Sequence, residues 1–252
     1  YGGYHLEIDT KADLNYDATG LGRLVHVSFP MELGLSMPLC GNPSYAVVPC
    51  ERQYAAIGPI WKKAGDKDWT SLAGQNTAEV ALLLPEPDNI PEDANAAGQI
   101  SFQITWQGMG VCDGAGVITQ KYVLDAKGVT ITTSFALPEE YSLGFEVPLL
   151  LSDGEETTRL ERSTDGFRVI GSSGIYKVTC LNPVNEYQHY LKGERQRPPA
   201  RRLPRAANRN GVYRLGLFIM ERSGQGVITM HFAFDHYKQP EYGANMNLEV
   251  ER

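Results

Sequence analysis

Residues 100 to 107 read I-S-F-Q-I-T-W-Q, with apolar Ile100, Phe102, Ile104 and Trp106 alternating with polar Ser101, Gln103, Thr105 and Gln107. An apolar residue at every second position is the mark of a strand that buries one face and wets the other. The pattern recurs over Val117–Leu124 and Val129–Phe135, separated by Asp125-Ala-Lys-Gly128, whose length and closing glycine suit a hairpin loop. Further strands are expected at Phe145–Leu151, Thr157–Arg162, Gly166–Ile170, Ile175–Cys180, Val212–Met220 and Val227–Phe234, with turn sequences S-D-G-E, S-T-D-G, G-S-S-G and S-G-Q-G between them. No window of useful length shows a helical period. The expectation is an all-β fold, a large antiparallel β-sandwich.

The first hundred residues are less regular. Tyr4–Ile8, Leu24–Phe29 and Val80–Leu84 read as strands, and the remainder is rich in turn formers. The chain therefore divides into residues 1–97, an irregular N-terminal part of the same domain with a few strands and long loops, and residues 98–252, the sandwich core. Long irregular segments in compact proteins are usually functional loops or surfaces packed on another domain. At 252 residues, 42% of them hydrophobic, the chain can bury a core as one large β domain.

Charge is distributed unevenly. The net charge is −7, yet residues 192–209, K-G-E-R-Q-R-P-P-A-R-R-L-P-R-A-A-N-R, hold seven of the 23 Lys and Arg against the single acid Glu194. Pro198, Pro199 and Pro204 exclude a continuous helix or central strand, so these charges are expected on an extended loop between strands. Such a loop is either a solvated linker or a contact for an anionic partner. Tyr187, His189 and Tyr190 stand immediately before it. Aromatic faces stack on sugar rings and guanidinium forks hold carboxylate or sulfate, which makes Tyr187, Arg195, Arg197, Arg201, Arg202 and Arg205, together with Arg214 on the next strand, the candidate ligand-binding residues. The partner they suit is an acidic oligo- or polysaccharide. Nucleic acid is not expected, because the rest of the chain is acidic where phosphate binding spreads positive charge over a whole face.

The same neighbourhood suits β-elimination from a uronide, where a Tyr or His base removes the proton beside a carboxylate and cations stabilise the enolate. His189, Tyr190 and His231 are the catalytic candidates; the plainer readings are loop anchors and a surface histidine. His231 lies on the strand face opposite Ile228, Met230, Phe232 and Phe234. Asp235 shares its face about 13 Å further along, at roughly 3.3 Å per residue, and His236 faces the other way, so the three do not form a metal site. Asp13-Leu-Asn15-Tyr-Asp17 places oxygen ligands at alternate positions as calcium loops do, but Ala18 and Leu24 stand where an EF-hand needs glycine and glutamate. An Asx-type turn fits better. No cofactor is expected, and structural calcium is the one ion kept open.

Cys40, Cys50, Cys112 and Cys180 lack C-x-x-C spacing, which argues against a thiolate metal centre. Cys40 and Cys50 bracket a Gly/Pro loop and could either pair in an oxidising compartment or remain free. No apolar run approaches the roughly 18 to 20 residues of a membrane span. The chain begins at Tyr1 rather than methionine, as a processed or excised segment would. G-x-S-x-G, H-E-x-x-H and phosphate-binding glycine loops are absent, which removes support for serine-hydrolase, zincin and nucleotide-dependent readings.

The segment from Gln99 to about Phe234, with I-S-F-Q-I-T-W-Q-G, V-I-T-Q-K-Y-V-L-D-A-K-G-V-T-I-T-T-S-F and F-E-V-P-L-L-L-S-D-G, resembles the supersandwich domains of heparinase II/III-like polysaccharide lyases. The resemblance implies a galactose-mutarotase-like supersandwich, a preceding helical domain of the same protein as partner, uronic acid glycans as substrate and a periplasmic or extracellular location. Two other functions stay open. One is a non-catalytic carbohydrate-binding or structural module; the other is an aldose-mutarotase-like enzyme using Glu186 with His231.

Overall fold

The structure is a computed structural model, and it describes residues 2–14, 17–27, 57–84, 98–172, 174–182, 205–208 and 211–236. It is almost entirely β, as the alternation predicts, and every strand pair is antiparallel. A two-stranded hairpin, β1 (Tyr4–Asp9) and β2 (Gly20–His26), precedes the main sheets. Next come β3 (Gly58–Lys63), β4 (Thr70–Ser71) and β5 (Glu79–Leu83), followed by the meander β6 (Ile100–Gln107), β7 (Val117–Asp125) and β8 (Gly128–Ala136). The remaining strands are β9 (Tyr141–Ser152), β10 (Arg159–Arg162), β11 (Gly166–Ile170), β12 (Gly174–Cys180), β13 (Arg205–Asn208), β14 (Gly211–Ser223) and β15 (Gln225–His236).

Eight strands form one sheet in the order β10-β11-β12-β15-β8-β7-β6-β5, and five form another in the order β13-β14-β9-β3-β4. One of the crossings between them is at Gly224, whose φ of 75° turns β14 into β15 and whose N–H donates to the Tyr141 carbonyl. The sheets bury one continuous apolar cluster. Phe167 of β11 meets Phe218 of β14 edge-on at 5.6 Å, and this approach needs the bare Gly216, where a Cβ would stand 2.7 Å from the Phe167 ring.

Periodicity located most strands, and the exceptions have physical causes. β3, G-P-I-W-K-K, does not alternate because its first four residues are all buried; it lies inside the smaller sheet between β9 and β4. The sequence places a strand at Leu24–Phe29, of which Ser28 and Phe29 lie outside the described residues; β2 starts earlier, at Gly20, and runs to His26, with Gly20, Leu21 and Gly22 buried. The expectation of loop throughout residues 192–209 is corrected at its end. Past Pro204 the chain regains a full set of N–H donors, and Arg205–Asn208 forms the edge strand β13.

β9 carries Pro148 within a twelve-residue strand. β3 pairs only as far as Gly58 opposite Glu146, so Pro148 sits where that neighbour has ended. The hydroxyl of Tyr176, reaching over from β12, accepts the Leu150 N–H at 3.2 Å and donates to the Pro148 carbonyl at 3.3 Å. A side chain from the opposite sheet thus satisfies the β9 backbone beyond the end of the β3 pairing.

A second buried polar group lies within the larger sheet. Trp106 Nε1 and the Tyr122 hydroxyl both donate to Gln120 Oε1, at 3.0 and 3.2 Å, and Gln120 Nε2 donates to Thr133 Oγ1 at 3.4 Å. All four residues are buried, so each bond replaces water that cannot enter. The other face of these strands is polar, with Thr105 and Thr119 hydroxyls 3.2 Å apart. Among the described residues β5 closes the larger sheet as an edge strand with Leu82 and Leu83 exposed, and Leu84 beyond it is exposed as well.

Candidate functional site

β13 pairs with β14 in a register that sets Arg205 directly opposite Arg214. Opposed residues of an antiparallel pair share a sheet face with their Cβ atoms about 4.5 to 5.5 Å apart, and like charges there repel. Both arginines are half-buried, and Arg205 Nε is closed off from solvent. Below this rung Ala207 is buried and pairs with Val212, and Asn208 pairs with Gly211 at the turn. Two sequence candidates separated by a turn are thereby brought together.

The other members of the basic and aromatic constellation, Glu186, Tyr187, His189, Tyr190, Arg195, Arg197, Arg201 and Arg202, lie outside the described residues. Asn182, just past β12, continues the ladder with its side chain: Nδ2 donates to the Val227 carbonyl at 2.6 Å and Oδ1 accepts the Thr229 N–H at 2.7 Å. An amide side chain stands in for one more residue of strand.

His231 stands on the outer face of the larger sheet, between Thr179 of β12 and Thr130 of β8. Its Nδ1 lies 3.1 Å from Thr130 Oγ1, and it makes a further bond to the Lys127 backbone. The ring rests on Gly128, where a Cβ would stand 2.8 Å from Cε1. Burial lowers the imidazole pKa below its usual value, opposed by the charge of Asp125 and the Lys127 bond. The arrangement holds the His231 imidazole against the β7–β8 turn. Asp235, on the same face, is paired with Lys177 of β12.

The Asp13–Asp17 loop closes through its backbone: the Asp17 N–H donates to the Asp13 carbonyl at 2.8 Å, and Asp17 Oδ1 accepts the Ala18 N–H at 2.9 Å. Asn15 lies outside the described residues. Asp17 faces a pocket of about 180 Å³ that is also lined by Glu7, Ile8, Asp9, Thr10 and Gly22. Burial raises the Asp17 pKa, and the charges of Asp9 and Glu7 and a hydrogen bond with Asp9 add to that effect. Among the described residues no three His, Cys, Asp or Glu side chains gather so as to hold a metal ion. Cys112 and Cys180 are buried free thiols, the former pushed up to about 12 by burial; Cys40 and Cys50 lie outside the described residues.

Sequence reasoning overlooked one buried acid. Glu146 in the middle of β9 has no exposed surface, and Ser71 Oγ donates to its Oε1 while accepting the Ala73 N–H at 3.3 Å. The available signal was an acid in the otherwise apolar run L-G-F-E-V-P-L-L-L. The bond ties the 3-10 turn Leu72–Gly74 to the centre of the smaller sheet.

No protein-family model matches this chain, and no curated protein matches it at a significant level.

Proposed function

We propose that this chain is the β-sandwich module of a carbohydrate-processing protein and that it binds acidic glycans through the surface around β13. The observation that carries this reading is the Arg205–Arg214 rung, two half-buried cations facing one another at the end of a cation-rich segment in an otherwise acidic chain. Binding is favoured over catalysis at His231, because that ring is held at Nδ1 by Thr130 and bonded to the Lys127 backbone, which serves the β7–β8 turn. The lyase-like alternative assigns acid/base work to His189 and Tyr190. A polymeric acidic ligand also implies work in the periplasm or outside the cell.

The test is calorimetric titration of the full chain with a sulfated hexuronan, an unsulfated polyuronate and a neutral glucan, at low and physiological salt. The reading expects at least one acidic polymer to bind with an affinity that falls as salt rises, and the glucan not to bind. Equal binding of all three polymers, or binding of none, rejects it. Ultraviolet absorbance of an unsaturated uronide during incubation separates the lyase-like form from pure binding.

A further inference from the structure

We propose that β5 is the edge through which two copies of this chain associate. The two strands pair antiparallel about a two-fold axis at Leu82, and the larger sheet continues from one molecule into the other. Among the described residues β5 has β6 on one side and no strand on the other. Val80 and Leu82 stand opposite the buried Trp106 and Ile104 and so face the core side, whereas Ala81 and Leu83 stand opposite Thr105 and Gln103 on the outer face. Leu82 and Leu83 keep 51% and 66% of their surface in solvent, and Leu84 keeps 63%. A partner resting on one face of the sheet covers one of these neighbouring leucines and leaves the next one wet. A strand lying beside β5 in the plane of the sheet meets both faces at once, and its main chain pairs with the outward N–H and C=O groups of the edge.

The strand that fits such an edge carries apolar side chains on both faces and no charge among them. Of the described strands that end the two main sheets, β10 carries Arg159, Glu161 and Arg162, β13 opens on Arg205, and β4 is only Thr70 and Ser71. β5 alone meets the requirement, so the occupant is β5 of a second copy. Antiparallel pairing with Leu82 opposite its own image sets Val80 opposite Leu84 on the core side and Ala81 opposite Leu83 on the outer side. Each exposed leucine then meets an apolar partner. Glu79, the only charge on β5, falls one place past Leu84 of the other copy. The two Glu79 positions stand about 20 Å apart at roughly 3.3 Å per residue, beyond the distance over which physiological salt lets them repel. Each copy offers one such edge among the described residues, so pairing uses it up and the assembly closes at two.

The experiment is analytical sedimentation of the full chain from nanomolar to millimolar concentration. The parent is expected to pass from one copy to two with a micromolar dissociation constant, as suits an interface below about 1,200 Å² in total, and to go no further. Leu82→Lys and Leu82→Glu each set like charges directly opposite one another and should raise that constant about tenfold or more. Mixing the two variants in equal amounts puts a cation opposite an anion and should restore the dimer. Val227→Lys, at an exposed position on β15, four strands from β5, should leave the dimer unchanged. Circular dichroism confirms that the variants fold. Hydrogen exchange of the parent at low and high concentration needs no variant: protection should rise with concentration in residues 79–84. A parent that stays monomeric throughout or grows past two copies overturns the proposal. So does a dimer that both folded Leu82 variants leave undiminished, a mixture that associates no better than its parts, or protection gained only elsewhere.

Discussion

The hydroxyl of Tyr176 donates to the carbonyl of Pro148 on the facing sheet, and the same oxygen accepts the N–H of Leu150. A proline inside a long strand is tolerated here because a tyrosine satisfies the backbone that β3 no longer covers. Tyr176→Phe keeps the ring and leaves both groups buried without that oxygen. The expected cost is about 1 to 3 kcal/mol, the range for stranding a buried polar group, read from urea denaturation with an unchanged m-value.

Gln120 joins Trp106, Tyr122 and Thr133, so its replacement strands several groups at once. Gln120→Leu is expected to destabilise by about 2 to 4 kcal/mol, above the single-bond range, because buried networks lose more than one pair. Thr132→Ser, on the outer face of the adjacent strand, should stay within about 0.5 kcal/mol. Equal effects in the two variants would show that the network is not buried in solution.

The β6–β7 turn holds Cys112 and Asp113 at φ of 50° and 54°, in the left-handed region that side chains avoid. Asp113→Gly removes the Cβ conflict at an exposed position. It should raise stability by roughly 0.5 to 1 kcal/mol, seen as a higher melting temperature.

Asp17 binds its proton more tightly in the folded chain than in the unfolded one. For an acid with a raised folded pKa, the folded state holds more protons across the window between the two values, so stability falls as pH rises through it. The contribution is complete below the unfolded value near 3.8 and has been lost above the folded one. Asp17→Asn, whose side-chain oxygen can still accept the Ala18 N–H, should therefore stabilise the chain at neutral pH and lose that advantage in acid. A constant difference between variant and parent from pH 3 to 8 would refute the assignment; this window spans roughly the carboxylate range and neutrality.

Gly216 gives Phe167 room to meet Phe218. Gly216→Ala is expected to cost about 1 to 3 kcal/mol through overpacking, with loss of near-ultraviolet aromatic ellipticity at 25 °C that far-ultraviolet spectra do not follow.

Strands that bury one face were legible in sequence: β6 and β11 run as their alternation predicts, and β7, β8 and β12 differ by a residue or so at their ends. β3 was not legible, because a strand buried on both faces has no alternation to read. β13 was hidden because Pro198, Pro199 and Pro204 led to a loop being expected through residue 209, while they say nothing about the chain after residue 204. Arg205 and Arg214 were each visible as cations, but the rung between them depends on the β13–β14 register, which the separate residues do not reveal. The Ser71–Glu146 bond spans 75 residues, a separation that no local pattern reports.

The leucines along β5 bear on how this chain behaves when crowded. An apolar edge strand is a template on which another chain can lay a strand of its own, the first step toward fibrillar assembly. The run V-A-L-L-L is short and bracketed, with Glu79 before it and P-E-P-D directly after it. Acids and prolines at such flanks act as gatekeepers, since a charge resists stacking on its own image and a proline cannot extend the ladder. Long-term colloidal stability should therefore depend on the four residues that follow Leu84 in sequence more than on the core, and replacing Pro85, Glu86, Pro87 and Asp88 would shorten the time to aggregation at a nearly unchanged melting temperature.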